Sequence, residues 1–199
     1  MPGKGKKHYC AYGIIVIIIL GYLVDVWGGV PTEQIKEKAD EIMNILNDPA
    51  FMDKKEEKKE LIVLIIDQMI DWPGVARRTL GLHWRKRTIQ EKEEFINLFK
   101  ELLKKTYADK LELYSGEEIV YENEKIDEDY ALVKTKIVNK KKQTDTSVVF
   151  RLRKKGEKWL TYDVSAEGIS VVNNYRVQFN DIIASSSYED LINRIKCKK

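Results

Sequence analysis

The apolar residues of this chain recur every three or four positions up to Tyr114-Ser115-Gly116, and every second position after it. A period near 3.6 puts one apolar face on a helix, and a period of 2 puts one on a strand. That single change therefore demands two kinds of element in sequence. In the front part, Ile35, Ala39, Ile42 and Leu46 predict a helix with Thr32 as N-cap and Asn47-Asp48-Pro49 as stop. A second helix starts in the mixed charge run at 53–60, a solvated stretch of helix formers, and continues into Leu61-Ile62-Val63-Leu64-Ile65-Ile66. That second half is apolar on nearly all sides and is expected to be buried. Pro73 suits the first turn of a short helix ending near Gly81. Thr88 and Glu91 form a capping box for a long helix with Phe95, Phe99, Leu102 and Thr106 on one face.

Beyond the change, strands are predicted at 118–122, 130–138, 146–153 and 158–164. Val148, Phe150 and Leu152 point one way while Val149, Arg151 and Arg153 point the other, as in a sheet with one covered and one wet face. Lys140-Lys141-Lys142-Gln143 and Lys154-Lys155-Gly156-Glu157 read as hairpin connections, which makes the sheet an antiparallel meander. Helix returns at the end, with Ser170 capping 171–184 and Ser187 with Asp190 opening 188–198. The expected class is α+β, one domain, with about four strands packed by N-terminal and C-terminal helices.

The first 29 residues read as an address and not as part of that domain, so the expected division is 1–29 and 30–199. Lys4, Lys6 and Lys7 lead into an apolar run at 11–24 that ends before Asp25. The run is shorter than the roughly 20 residues a bilayer span needs, and it fits a signal-peptide core with cleavage after Gly28. An uncleaved signal anchor is the second reading, since Val26 and Gly28 make an imperfect cleavage site. Cys10 precedes the apolar core, where a lipoprotein cysteine would follow it. After cleavage Cys197 is the sole cysteine, so no intramolecular disulfide is available.

Of 35 basic and 32 acidic residues, Lys4, Lys6, Lys7 and Asp25 fall before Val30, which leaves 32 and 31. Such a near-neutral domain lacks the phosphate-neutralising charge of a nucleic-acid binder. The basic stretch Arg77 to Arg87, with His83 and Trp84 inside it, is open to two readings: a solvated surface, or a contact for headgroups or a protein partner. His83 is the only histidine after residue 29, and no HExxH, CxxC, GxSxG or phosphate-binding glycine loop occurs. Asp67 and Asp71, four apart on one helical face, are expected to cap and to pair with Arg77 and Arg78. No catalytic residue, metal site or cofactor is expected.

Three segments resemble the MlaC (toluene-tolerance auxiliary) family. The first runs from Ile70-Asp71-Trp72 through Ala76-Arg77-Arg78-Thr79-Leu80-Gly81 to Trp84. The second is Glu94-Phe95, Leu98-Phe99 and Thr106-Tyr107, then Leu113-Tyr114. The third is Trp159-Leu160-Thr161-Tyr162-Asp163-Val164, Glu167-Gly168-Ile169-Ser170, Asn174-Tyr175-Arg176 and Phe179. Order and spacing fit from about residue 32 to 195, with one departure at Trp72-Pro73, where relatives usually lack the proline. The resemblance implies an NTF2-like curved antiparallel sheet packed by helices. It implies a non-enzymatic periplasmic phospholipid carrier, with lipid as cargo and no cofactor, serving outer-membrane lipid asymmetry. Its implied partners are an inner-membrane ABC transporter complex with a lipid-binding membrane subunit and an outer-membrane lipoprotein–porin complex.

A diacyl lipid crosses water only with its tails hidden, which needs an apolar cavity. The inward faces nominate Phe95, Phe99, Leu102, Val133, Val148, Phe150, Leu152, Tyr162, Tyr175 and Phe179, which either line such a cavity or pack on each other. Rival functions are an NTF2-like enzyme, for which Tyr162 and Tyr175 are the available acids or bases, and an anchored protein-binding adaptor. The address reading is tested by N-terminal sequencing of the exported protein: a start near Gly29 is expected, and retention of Ile14–Ile19 would favour the anchor.

Overall fold

The computed structural model describes residues 30–108 and 116–198, and in it the change of hydrophobic period is a change of layer. The address segment and Leu113-Tyr114 lie outside the described residues. The helical part holds α1 (Val30–Asn47), a 3₁₀ turn (Pro49–Phe51), α2 (Lys55–Met69), α3 (Trp72–Leu80), a second 3₁₀ turn (Gly81–Lys86) and α4 (Ile89–Ala108). The sheet follows as β1 (Glu118–Asp127), β2 (Tyr130–Asn139), β3 (Thr144–Lys155), β4 (Lys158–Ala166) and β5 (Ile169–Ser170), and α5 (Val171–Ser185) and α6 (Tyr188–Cys197) close the chain. The strands lie in chain order, each antiparallel to the next, so the meander is as expected with one two-residue strand added.

Local signals set most helix ends. Thr88 N–H donates to Glu91 at 2.6 Å and Glu91 N–H returns to Thr88 Oγ1 at 3.2 Å, a closed capping box. Ser170 and Ser187 accept from the N–H groups of Asn173 and Asp190. Thr32 behaves differently from its expected role as cap. It sits in the first turn of α1, and both its N–H and its hydroxyl donate to Glu124 of β1, at 2.7 and 2.6 Å. A partner 92 residues away supplies the acceptor that the local sequence lacks. The same non-local support extends β1 to Asp127, because residues 123–127 carry no alternation of their own and are held by pairing with β2.

Burial alternates along β2, β3 and β4, leaving one face covered. Among the described residues there are two apolar cores. In the first, Ile35 of α1 closes on Ala131, Val133, Leu152 and Trp159 of the sheet. In the second, helices α3 to α6 pack around Phe95, Phe99, Leu80, Phe179, Leu191 and Ile195.

Two buried aspartates join the helical core to the sheet. Asp71, 1% exposed, donates its N–H to the Thr161 carbonyl of β4 at 2.9 Å, and its side chain accepts from Gly74 N–H at 3.0 Å and from Lys155 at 2.6 Å. Gly74 leaves the carboxylate its place, since a Cβ there would fall 2.2 Å from Asp71 Oδ2 and push it aside. Asp163 of β4 accepts from Val172 N–H at 3.1 Å and from the Ser170 hydroxyl at 2.7 Å, so the turn into α5 is fastened to the strand before it. Arg151 reaches the same carboxylate at 3.4 Å. Replacing Asp163 by Ala strands the buried Val172 N–H without its acceptor, which should cost about 1–3 kcal/mol. Urea unfolding measures this, and Asp163→Asn, which keeps an acceptor for that N–H, should lose less.

Candidate functional site

Between the helical core and strands β3 and β4 lies a cleft of about 340 Å³. From α2 come Val63 and Ile66, and from the junction with α3 come Ile70, Trp72 and Val75. Leu103, Lys104 and Tyr107 enter from α4, Val148 from β3, Thr161, Asp163, Val164 and Ala166 from β4, and Val171 and Val172 from α5. Its volume sits at the lower end of the roughly 300–1,000 Å³ of small-molecule sites, and its walls are mainly aliphatic. A second groove of about 270 Å³ between α1, α2 and β4 carries Gln34, Glu37, Lys38, Gln68 and Lys158 beside Ile35, Met69 and Trp159. That polar rim suits an alkyl chain poorly, since the chain would strip water from amide and charged groups without replacing it.

Helix α2 explains why the cleft exists. Leu61–Ile66 would be expected to disappear into a core, yet among these residues only Ile62 is fully buried and Leu64 is 57% exposed. Val63 and Ile66 stay half-buried because they face the cleft, where no protein atoms cover them. The excess of apolar side chains on one short helix was the readable sign of this wall, and the expectation of burial hid it.

The ten residues nominated from the sequence fall into separate places. Val148 lines the cleft and Leu152 lines the polar groove. Val133 and Leu152, with Phe150 alongside, belong to the core under α1. Phe95, Phe99, Leu102 and Phe179 are buried in the helical core, with Tyr175 packed against them. Phe95 stacks on Phe99 at 5.6 Å, and Phe99 meets Tyr175 and Phe179 edge-on at 5.1 and 5.4 Å. Tyr162 lies under the Arg78 guanidinium at 3.8 Å and against Tyr130 at 6.0 Å. Long-range placement, invisible in any one element, decided this sorting. The cleft residues not nominated come from α2, the α2–α3 junction, α4, β4 and the start of α5.

Charged groups gather where α4 meets α2. Asp67 Oδ2 accepts from both Lys100 and Lys104, each at 2.8 Å, so Asp67 pairs with α4 and Asp71 with Lys155, in place of the arginines expected. Burial pushes the Asp67 carboxyl up, but hydrogen bonds and charge from the two lysines outweigh it and hold the group below its ordinary range. Lys104 is raised: burial opposes its charge, and Asp67 more than restores it. The Trp72 indole Nε1 is buried without a partner. The carboxylate in the cleft wall, Asp163, is already engaged by Ser170, Val172 and Arg151.

The basic stretch after Arg77 is divided. Arg78 covers Tyr162, and Arg87 covers Tyr188 and pairs with Glu91, while Arg77, Arg85 and Lys86 face solvent beside Leu82. His83 is half-buried against Asn180 at 3.1 Å. No helix among the described residues is long and apolar enough to cross a membrane.

A family model described as MlaC protein matches residues 36–197. The intermembrane phospholipid transport system binding protein MlaC of Haemophilus influenzae is 24% identical over 123 residues, covering 60% of this chain and 58% of that protein. Among solved structures, a phospholipid-binding protein from Ralstonia solanacearum, in complex with a phospholipid, superposes with a TM-score of 0.73 at 20% identity, over 84% of this chain and 96% of the other. That likeness is one of fold.

The depressed Asp67 carboxyl makes stability depend on pH in a defined sense. Its contribution is complete above the unfolded carboxylate range and is lost as pH falls through the folded value. Urea midpoints for the parent and Asp67→Asn should therefore differ near neutrality and converge below about pH 4.

Proposed function

The chain belongs to the MlaC family, and from that premise we propose that it is a phospholipid carrier that holds acyl chain in the cleft between its helical core and strands β3 and β4. The observation that carries this reading is the aliphatic wall made by Val63, Ile66, Ile70, Val148, Val164 and Val171, which faces a void. Each methylene moved from water into such a site gains roughly 0.8 kcal/mol, so ten of them supply about 8 kcal/mol before ordering costs. The mainly aliphatic lining also favours a carrier over an enzyme: Tyr162 and Tyr175, which an NTF2-like catalyst would need inside, are occupied by Arg78 and by the Phe99–Phe179 cluster.

In the finer form of the proposal the carrier works in the periplasm. It would move phospholipid between an outer-membrane lipoprotein–porin complex and an inner-membrane ABC transporter complex, as the family resemblance implies. A separate carrier suits that task, because binding that hides acyl chains from water removes the main barrier to leaving one bilayer for another.

Two substitutions separate cleft from core. Val148→Trp puts a ring into the cleft, so delipidated protein should keep its Tm within a few degrees while phospholipid counted by native mass spectrometry falls sharply. Phe99→Trp overpacks a filled aromatic cluster and should cost about 1–3 kcal/mol of stability. If Val148→Trp destabilises strongly and lipid occupancy stays intact, the cleft is not the acyl site. If the parent protein binds no phospholipid, the carrier reading fails.

A further inference from the structure

One end of the cleft is polar in a specific way. Helix α4 carries Lys100, Leu103, Lys104 and Tyr107 at spacings of three and four, so these side chains share a face. Leu103, Lys104 and Tyr107 line the cleft, and Trp72 faces them from the start of α3. Tyr107 is 36% exposed and the Lys104 side chain 23%, so this end meets water and forms a mouth.

Charge and hydrogen bonding at this mouth are both unbalanced. Lys100 and Lys104 share one oxygen of Asp67, so the trio carries a net positive charge. Glu101 approaches Lys104 at 3.6 Å, but its side chain is half-exposed and screened by solvent. The Trp72 indole N–H is buried with no acceptor, although a buried indole N–H ordinarily finds one. Lys100 Nζ lies 5.6 Å above the same ring, which ties the indole to the lysine pair. An anionic oxygen at the mouth would answer both deficits at once, accepting from the indole and adding a counter-charge beside Lys104.

We propose that Lys104 and the Trp72 indole N–H form a headgroup site that favours phospholipids of net negative charge. This rests on the carrier reading above and deepens it. The phosphodiester supplies acceptor oxygens in every phospholipid, so hydrogen bonding alone would not discriminate. Discrimination comes from net charge. A phosphatidylglycerol headgroup brings one negative charge to a positive trio, whereas phosphatidylethanolamine also brings an ammonium that Lys100 and Lys104 repel. Lys100 keeps Asp67 paired when Lys104 turns to the lipid, so the carboxylate is not left alone.

The test loads delipidated full-length protein from vesicles of equimolar phosphatidylglycerol and phosphatidylethanolamine, and reads bound lipid by native mass spectrometry. The parent should prefer phosphatidylglycerol by about three- to tenfold, the size of one charge-assisted contact at a partly wet site. Lys104→Gln should move that ratio toward unity, whereas Trp72→Phe, which removes a donor that both lipids use, should lower uptake of both and leave the ratio near the parent value. Lys104→Arg, which keeps the charge, should retain the preference. An equal uptake of both lipids by the parent, a preference that survives Lys104→Gln, or unchanged uptake of both lipids by Trp72→Phe overturns the headgroup site and leaves the carrier reading standing. Uptake of neither lipid by folded parent protein overturns both.

Discussion

The buried carboxylates of Asp71 and Asp163 are what hold this protein together across its layers. Each sits at a point where a helix meets β4, and each satisfies backbone or side-chain donors on the helical side while its own residue belongs to the sheet or bonds to it. A buried acceptor left without donors is costly, and so is a helix N-terminus without acceptors, so these contacts position α3 and α5 against the strand within narrow limits. The aliphatic contacts around them add area and little direction, because the hydrophobic effect is non-directional.

Fastening the layers at such points leaves a gap between the helical core and strands β3 and β4. The helical core is closed on itself by the Phe95, Phe99 and Phe179 rings, and the sheet core by Ile35 of α1. Trp72, Leu103 and Tyr107 line that space together with Val148, Val164, Ile66 and Val171 but do not fill it. Close packing is the rule in interiors, so a void lined by aliphatic groups calls for an occupant. In the proposed reading an acyl chain is that occupant, and the Lys100, Lys104 and Asp67 trio at the mouth is the electrostatic counterpart of the dry wall.

The layout of elements was legible because it rests on local signals. The Thr88–Glu91 box, the Ser170 and Ser187 caps, the two lysine-rich turns and the alternation in β3 are each contained within a few residues. The errors came where a distant partner took over. Thr32 is served by Glu124, Asp67 by Lys100 and Lys104, and Asp71 by Lys155, none of them close in sequence. β1 runs to Asp127 because β2 pairs with it, and not because residues 123–127 alternate.

Periodicity states which face of an element avoids water, and on that basis Phe95, Phe99, Val148 and Phe179 were all correctly placed inside. It carries no information on what stands opposite, because burial against a side chain and burial against a ligand select the same residue types. The sequence by itself therefore determined the order of helices and strands, the meander and the inward faces, together with the family resemblance that a model match over residues 36–197 supports. Only the tertiary structure decided that Phe95, Phe99 and Phe179 fill one another's space while Val63, Ile66 and Val148 face a void. The difference depends on how α2 and α4 are set against β3 and β4, a matter of contacts between residues tens of positions apart.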